Sequence, residues 1–218
     1  MIEHNRIVSV SGVHGVGKST LVSELCKLHG APLPPLRLPS PFEDLFLAFM
    51  FYILAFAKRD TSVFQRTGLS FVDRHSARDM LVDIWTLYEL KRLTDSQVDT
   101  LKETCHRILV PFGPPACSIL LDDDIENVVS RIKSRPLPFG HPPDLEYDRE
   151  YIEAIIMNFR REFESEEITV GRFGMKVASP LSRFVAVEGA SPFTLAVRVT
   201  KMIEVDATLW TERRVGIL

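Results

Sequence analysis

The sequence lacks the features that mark several protein classes. Its three cysteines, Cys26, Cys105 and Cys117, form no CxxC pair and no even set of bridges, so reduced thiols in a cytosol-like compartment are expected. The longest apolar run, residues 45–57, has thirteen residues and no charge, fewer than the roughly 17–25 that a membrane-spanning helix needs. The first residues show no charged leader followed by a long apolar run. No signal peptide, no membrane partner and a cytoplasmic location are therefore expected.

Neither sign of charge dominates the chain. The 26 Lys and Arg residues are balanced by 29 Asp and Glu residues, which gives a net charge of −3 with His neutral. This balance excludes a strongly basic coat, so no nucleic-acid partner is expected. With 45% hydrophobic and 25% charged residues, the composition is that of an ordinary folded domain. A length of 218 residues predicts a single domain over residues 1–218.

Short β-branched segments alternate with segments of helical periodicity. The alternation predicts an α/β fold in three layers, with a central parallel sheet of about five strands flanked by helices. Strands are predicted at residues 6–11, 36–38, 69–73, 117–122 and 184–188. Helices are predicted at residues 20–29, 42–58, 79–93, 98–109, 126–135, 145–163 and 191–202. Residues 111–115 are expected to form a loop, and residues 164–183 a hairpin or an excursion.

A glycine-rich loop follows the first predicted strand and precedes a helix. Residues 12–19 fit the pattern GxxxxGK[ST] at every fixed position, so the sequence predicts the phosphate-binding loop of a P-loop NTPase fold. Lys18 is expected to reach the β- and γ-phosphates, and the Ser19 hydroxyl to ligate Mg²⁺. ATP and Mg²⁺ are the expected cofactors. The predicted ATP-binding residues here are Gly12, Val13, His14, Gly15, Val16, Gly17, Lys18, Ser19 and Thr20.

Polar residues also follow the strand at residues 69–73. Because parallel strands end at one edge of a sheet, Asp73 and Arg74 are expected beside the phosphate loop. Asp73 could hold Mg²⁺ through water, and Arg74 could clamp a phosphate. The plainer alternative is an ion pair in a surface loop.

Two arginines one helical turn apart suggest a lid. Arg131 and Arg135 share a helix face and could close over the transferring phosphoryl group, with a lid at about residues 131–150. The alternative is a solvated helix face.

The predicted helix at residues 42–58 is rich in aromatic residues. Phe42 and Phe46, nearest its start, are the best candidates to stack on an acceptor base. For most of the other aromatic residues, a place in the core is the simpler explanation.

A phosphate loop alone does not separate kinases from GTPases, motors or helicases. The chain is small and has no NKxD-like guanine-reading tetrapeptide, which favours a nucleotide kinase with a small-molecule acceptor. Four segments together resemble the thymidylate kinase and deoxynucleoside kinase superfamily. They are GVHGVGKST, FVDRHSARD, SILLDDDIENVVSRIKSR and RFVAVEGASPFTLAVRVTKMI, in this order along the chain.

The resemblance implies ATP-dependent phosphorylation of a nucleoside or a nucleoside monophosphate. It implies that Arg74 binds the acceptor phosphate and that Arg131 and Arg135 are lid arginines. It also implies that Glu188, Gly189 and Ala190 line the adenine site. A homodimer formed through apolar helices near residues 45–57 and 80–93 is a further expectation.

One departure from the superfamily pattern bears on the acceptor. Leu38 stands where the superfamily often has a carboxylate before proline, the base that takes the proton from a sugar hydroxyl. A monophosphate needs no such base, so the sequence favours phosphorylation of a pyrimidine deoxynucleotide, most simply dTMP to dTDP, with Arg37 as a phosphate ligand. A deoxynucleoside kinase with Glu43 or Asp44 as base is the first alternative. A non-catalytic ATP-binding regulator is the second.

Overall fold

The computed structural model describes residues 6–34, 40–66, 68–113, 115–134, 145–164, 168–169, 176–177 and 181–215. These residues form one main sheet between two layers of helices, as the sequence predicts. The strands of the described part are β1 (Arg6–Ser11), β2 (Leu69–Asp73), β3 (Cys117–Asp122), β4 (Ile168–Thr169), β5 (Lys176–Val177) and β6 (Leu181–Ala186). The helices are α1 (Lys18–His29), α2 (Leu45–Phe64), α3 (Ser76–Glu89), α4 (Asp95–Ile108), α5 (Ile125–Lys133), α6 (Arg149–Glu164) and α7 (Pro192–Val215).

The main sheet is parallel throughout, in the order β2-β1-β3-β6. Val8 lies in register with Phe71 of β2 and with Cys117 of β3, so β1 is a central strand. Four strands are found in this sheet among the described residues, against about five expected. The remaining predicted strand, residues 36–38, lies outside the described residues.

Several element boundaries differ from the sequence-based expectation. Helix α2 begins at Leu45 rather than at residue 42, because the Asp44 carboxylate caps it by accepting a hydrogen bond of 2.9 Å from the amide of Leu47. The same helix continues to Phe64, beyond the predicted end at residue 58, with Val63 buried in its last turn. The predicted helix over 145–163 is a 3₁₀ turn, Leu145–Tyr147, followed by α6.

Other differences affect the carboxyl-terminal third and one loop. Strand β6 occupies Leu181–Ala186 rather than residues 184–188, because Glu188 adopts a left-handed backbone (φ 38°) that ends the extended run. The last helix extends to Val215 rather than to residue 202. The expected loop at residues 111–115 contains a 3₁₀ turn at Val110–Phe112. Strands β4 and β5 pair antiparallel, as expected for a hairpin within residues 164–183.

The core lies on both faces of the main sheet. Val8 and Val10 of β1 have no exposed surface, and Leu25 of α1 and Ile84 of α3 are equally buried. Burial of an aliphatic side chain of this size contributes about 1.5–3 kcal/mol. The carboxyl edge of the sheet is thus held as a rigid platform. No helix in the described part of the chain combines the length and apolarity that crossing a membrane requires.

Candidate active site

The phosphate loop connects β1 to α1 and has little room for side chains. A Cβ atom on Gly12, whose φ is 134°, would lie 2.6 Å from the carbonyl oxygen of Leu121 in the neighbouring strand. A Cβ on Gly15, whose φ is 82°, would lie 2.6 Å from the side chain of Ile132 in α5. Both positions therefore require glycine, for conformation and for space. The loop is packed directly against α5.

Helix α1 begins at Lys18, and its amino terminus faces the loop. Gly17 precedes it with a left-handed backbone and has no side chain to cap the first amides. Those amides and the helix dipole favour an anion at this position. Thr20 lies in the first turn with an exposed side chain.

Lys18 is buried and folded back on the loop. Its Nζ donates a hydrogen bond of 2.9 Å to the carbonyl of Val13. Burial and the neighbouring Arg74 lower the pKa of Lys18 to about 8, although Asp73 and two further carboxylates oppose the shift. A negative charge placed beside Lys18, such as a phosphate, would therefore raise its pKa.

Ser19 and Asp73 meet, as their positions after β1 and in β2 predict. The Ser19 hydroxyl donates a hydrogen bond to Oδ2 of Asp73. Burial alone raises the pKa of Asp73, but Lys18, the Ser19 hydrogen bond and Arg74 together hold it below its usual value. The pair offers an ionised carboxylate and a hydroxyl, the hard oxygen donors that Mg²⁺ takes in nucleotide sites. The residues present therefore fit Mg²⁺.

Arg74 follows Asp73 with a left-handed backbone, φ 77°. Its Nη1 donates to Oδ2 of Asp83 at 2.5 Å, and its Nη2 donates to Nε2 of His14 at 2.9 Å. The side chain of Arg74 is 3% exposed and that of Asp83 6%. Burial alone would lower the pKa of Arg74, but the carboxylates, with Asp83 first, outweigh it and raise the value. Sequence reasoning placed Arg74 here but missed Asp83.

Arg59 of α2 supports the turn after β2, and sequence reasoning missed it as well. Its Nη1 donates to the carbonyl of Asp73 at 2.5 Å, and its Nη2 donates to the carbonyl of Arg74 at 3.1 Å. Nη2 also donates to the Ser76 hydroxyl at 2.5 Å, and Nε donates to Asp60 at 2.9 Å. An arginine followed by an acid after a long apolar stretch of one helix was the available signal. The buried guanidinium fixes the backbone from which Asp73 and Arg74 project.

A second buried ion pair lies behind the loop. Ser11 donates to Oδ1 of Asp79 at 2.8 Å, and Nη2 of Arg78 donates to the Ser11 hydroxyl at 3.2 Å. Nε of Arg78 lies 3.6 Å from Asp79, and its guanidinium covers the ring of Phe163 at 3.8 Å. Burial raises the pKa of Asp79 and lowers that of Arg78. This group ties the end of β1 to α3 and α6.

The predicted lid residues lie only partly within the described chain. Arg131 donates to Oδ2 of Asp123, and Asn127 donates to Oδ1 of the same carboxylate at 3.0 Å. The Asp123 carboxylate, which lies just before α5, thus holds the side chain of Arg131 against the helix that contacts the phosphate loop. Arg135 and the rest of residues 135–144 of the predicted lid at 131–150 lie outside the described residues, as does Arg37.

The candidate base-stacking residues differ in their surroundings. Phe42 is 42% exposed and meets the ring of Phe51 edge-on at 6.4 Å. Phe46 is half-buried against the core. Phe49 and Phe56 of the same helix are buried core residues, in keeping with the simpler explanation for most of these aromatics.

The two candidate bases lie at the start of α2. Glu43 is exposed, and Asp44 caps the helix. Within the described ranges, neither carboxylate forms a hydrogen bond or an ion pair with the phosphate loop.

The turn at residues 188–190 follows β6 at the same edge of the sheet. The Ala190 amide donates to the carbonyl of Val187 at 2.7 Å, and Gly189 has φ 69°. Glu188 and Gly189 are exposed. Ligands of open α/β sheets bind outside the carboxyl ends of the strands, so the position of this turn fits the predicted adenine contact.

The parallel sheet, the phosphate loop and the Ser19–Asp73 pair define a P-loop phosphotransferase. No family model matches the chain. A deoxyadenosine/deoxycytidine kinase of Bacillus subtilis (strain 168) is 30% identical over 168 residues, which cover 71% of this chain and 75% of that protein. The chain belongs to the deoxynucleoside kinase family, whose members are ATP-dependent phosphotransferases. The resemblance to the thymidylate kinase and deoxynucleoside kinase superfamily is confirmed.

Solved structures show the same fold. A deoxyadenosine kinase from M. mycoides with bound dCTP superposes with a TM-score of 0.66 at 18% identity, over 91% of this chain and 99% of that one. The same enzyme with bound dATP gives 0.67 at 20% identity and the same coverage. At these identities, the likeness establishes the arrangement of sheet and helices alone.

Proposed function

We propose that this protein transfers the γ-phosphoryl group of ATP to the 5′-hydroxyl of a deoxynucleoside. The observation that carries the proposal is the convergence of Lys18, Ser19, Asp73 and Arg74 at one edge of the sheet, in a chain related to a deoxyadenosine/deoxycytidine kinase. Deoxyadenosine and deoxycytidine are the acceptors that this relationship favours. The relatives thus support the alternative of a nucleoside acceptor better than the conversion of dTMP to dTDP.

The donor side follows from the loop geometry. The loop amides and the amino terminus of α1 hold the phosphates, and Lys18 turns from Val13 to the β- and γ-oxygens. Ser19, and Asp73 through water, would hold Mg²⁺, which would offset phosphate charge. The turn at residues 188–190 lines the adenine. Arg131 and Arg135 supply positive charge near the transferring group.

The transfer itself is an in-line displacement. The bond from O5′ to the γ-phosphorus forms while the bond to the β,γ-bridging oxygen breaks, ADP leaves, and the hydroxyl proton passes to a carboxylate. Of the two carboxylates proposed for that proton, Asp44 is engaged in capping α2, which leaves Glu43 as the candidate base. Phe42 and Phe46 are candidate contacts for the acceptor base. Arg37 is a candidate contact for the acceptor sugar or for the phosphate of the monophosphate product. Arg74 orients the acceptor oxygen beside His14 of the loop.

A panel assay tests the proposal. The full chain is incubated with ATP, Mg²⁺ and each of the common deoxynucleosides and their 5′-monophosphates, and ADP and the phosphorylated product are quantified by chromatography. We expect deoxyadenosine or deoxycytidine to give the highest kcat/KM. Faster turnover of dTMP than of any nucleoside would instead establish a nucleotide kinase. If no acceptor in the panel gives acceptor-dependent ADP, the non-catalytic ATP-binding regulator is favoured.

The control is Lys18→Ala. Loss of the lysine removes charge stabilisation that develops in the transition state, so kcat should fall by about 10²–10³. The variant should keep the far-ultraviolet circular dichroism of the parent, because the phosphate loop is held by its glycines and by α5. Near-parental turnover in the folded variant would remove the proposed mechanism.

A further inference from the structure

The guanidinium of Arg74 lies beside the phosphate loop, against which the proposed donor phosphates would bind. It contacts His14 of the phosphate loop on one side and Asp83 of α3 on the other. A group that Arg74 orients is therefore placed next to the γ-phosphoryl. Whether Arg74 binds a neutral or a negatively charged acceptor group depends on how far carboxylates already neutralise its positive charge.

The buried carboxylate of Asp83 neutralises the charge of Arg74. Its Oδ2 lies 2.5 Å from Nη1 of Arg74, and the Tyr151 hydroxyl of α6 lies 3.4 Å from its Oδ1. Both charged side chains are almost completely buried, so solvent screens the pair weakly. Asp83 is thus held in place by two elements besides its own helix.

Two other buried arginines near the site also lie beside carboxylates. Arg59 pairs with Asp60 at 2.8 Å, and Arg78 lies 3.6 Å from Asp79. Among the described residues, these arginines each have a carboxylate of their own. A phosphate dianion brought to Arg74 would therefore meet a compensated charge and a neighbouring carboxylate.

We propose that Asp83 determines the acceptor class by holding Arg74 as a neutral pair that accepts a hydroxyl and repels a 5′-phosphate. This inference rests on the proposed function and adds the residue that enforces it. A neutral hydroxyl can share Arg74 with Asp83. A phosphate dianion must displace Asp83, which leaves a buried carboxylate without its partner, or must lie beside it against like-charge repulsion. The enzyme would then discriminate between the two acceptor classes because Asp83 repels the 5′-phosphate.

The Arg74–Asp83 pair also affects how the product leaves the site. The 5′-monophosphate formed in the reaction has the dianion that Asp83 disfavours, so Asp83 promotes its release. It also disfavours a second phosphorylation of the monophosphate. Asp83 acts here through Arg74 and is a positioning residue rather than a catalytic one.

The test is Asp83→Asn, which keeps the size of the side chain and removes its charge. The measurements are kcat/KM for deoxycytidine and for dCMP, and the inhibition constant of dCMP, followed by the same three values for deoxyadenosine and dAMP. We expect the ratio of monophosphate to nucleoside efficiency to rise, and the monophosphate inhibition constant to fall, by about tenfold or more. Asp99→Asn on the exposed face of α4 removes one charge elsewhere and should leave both values at the parental level.

A purely structural role would lower both efficiencies by the same factor and leave their ratio unchanged. That result in folded Asp83→Asn overturns the inference about Asp83 while leaving the proposed function intact. A parental enzyme that uses dCMP better than deoxycytidine overturns the proposed function itself. If Asp83→Asn does not fold by circular dichroism, Asp83→Ser is measured in the same way and decides between the same outcomes.

Discussion

The Ser19 hydroxyl donates a hydrogen bond to the carboxylate of Asp73, although the two residues lie in different elements, 54 positions apart in the sequence. Ser19 is the second residue of α1, and Asp73 is the last residue of β2. Parallel pairing of β1 with β2 brings both to the carboxyl edge of the sheet. The contact places the two proposed Mg²⁺ ligands side by side, and it gives the first prediction.

Asp73→Asn should raise the Mg²⁺ concentration for half-maximal rate by about tenfold or more, because an amide oxygen lacks the charge of the carboxylate. Titration of the rate with Mg²⁺ at fixed ATP measures this. Ser19→Ala should shift the titration in the same direction, and the double variant should be less than additive, since the two residues hold one ion. An unchanged titration in Asp73→Asn would show that Asp73 does not serve the metal.

Lys18 should take up a proton when nucleotide binds. Its pKa is about 8 in the folded protein, against 10.5 for an ordinary lysine, and phosphates beside it would raise it again. At pH 9 the expected uptake on binding Mg·ATP is about 0.9 proton. Calorimetry in buffers of different ionisation enthalpy measures the uptake. The Lys18→Met variant should show none of this component, and equal uptake in the two proteins would contradict the assignment.

The same depressed pKa sets the sign of a stability effect. Between about pH 8 and 10.5 the unfolded chain binds a proton at Lys18 that the folded chain does not. The contribution of this residue to the free energy of unfolding therefore rises with pH through that window. Lys18→Met should remove the rise, as urea titrations of the two proteins at pH 8 and pH 10 would show.

Arg59→Ala should lower kcat strongly because the turn that carries Asp73 and Arg74 loses its support. Removal of the buried guanidinium also leaves two carbonyls without a donor, so stability should fall by about 3 kcal/mol. A cavity of about 30 Å³ already borders Arg59, His75 and Phe64. Added guanidinium chloride at low millimolar concentration should enter the enlarged space and restore part of kcat.

The matched control for that rescue is Arg66→Ala. Arg66 is half-buried, and its side chain donates only to the loop carbonyls of residues 32 and 33 among its described hydrogen bonds. It should keep parental activity and show no response to guanidinium. A folded Arg59→Ala enzyme with parental kcat would contradict the positioning role.

Gly15→Ala should weaken nucleotide binding because the new Cβ would lie 2.6 Å from Ile132 and push α5 away from the loop. Gly113 gives a matched control, since its φ of 73° is close to the 82° of Gly15 but a Cβ at Gly113 would have no described atom within 4 Å. Both alanines carry the backbone strain of about 1 kcal/mol, and only Gly15→Ala carries the clash. Adding Ile132→Ala to Gly15→Ala should recover affinity. Equal losses in the two single variants would contradict the contact.

The parts of the candidate site whose placement in the fold the sequence predicts are those encoded by residues that are neighbours along the chain. Residues 12–19 specify a loop because glycines at fixed spacing stand between a β-branched strand and an amphipathic helix. Asp73 follows from its position at a strand end. The starts of helices are less well predicted, because the Asp44 carboxylate caps α2 and the helix begins at Leu45 rather than at residue 42.

The sequence by itself determined the fold class, the phosphate loop and the edge of the sheet at which the site lies, because these depend on local periodicity and on short motifs. Only the tertiary structure decided the partners of the charged groups. Asp83 meets Arg74, and Arg59 meets the carbonyls of residues 73 and 74, because α2 and α3 pack against the end of β2. Ion pairs between elements depend on the three-dimensional placement of helix faces, which no spacing along the chain specifies.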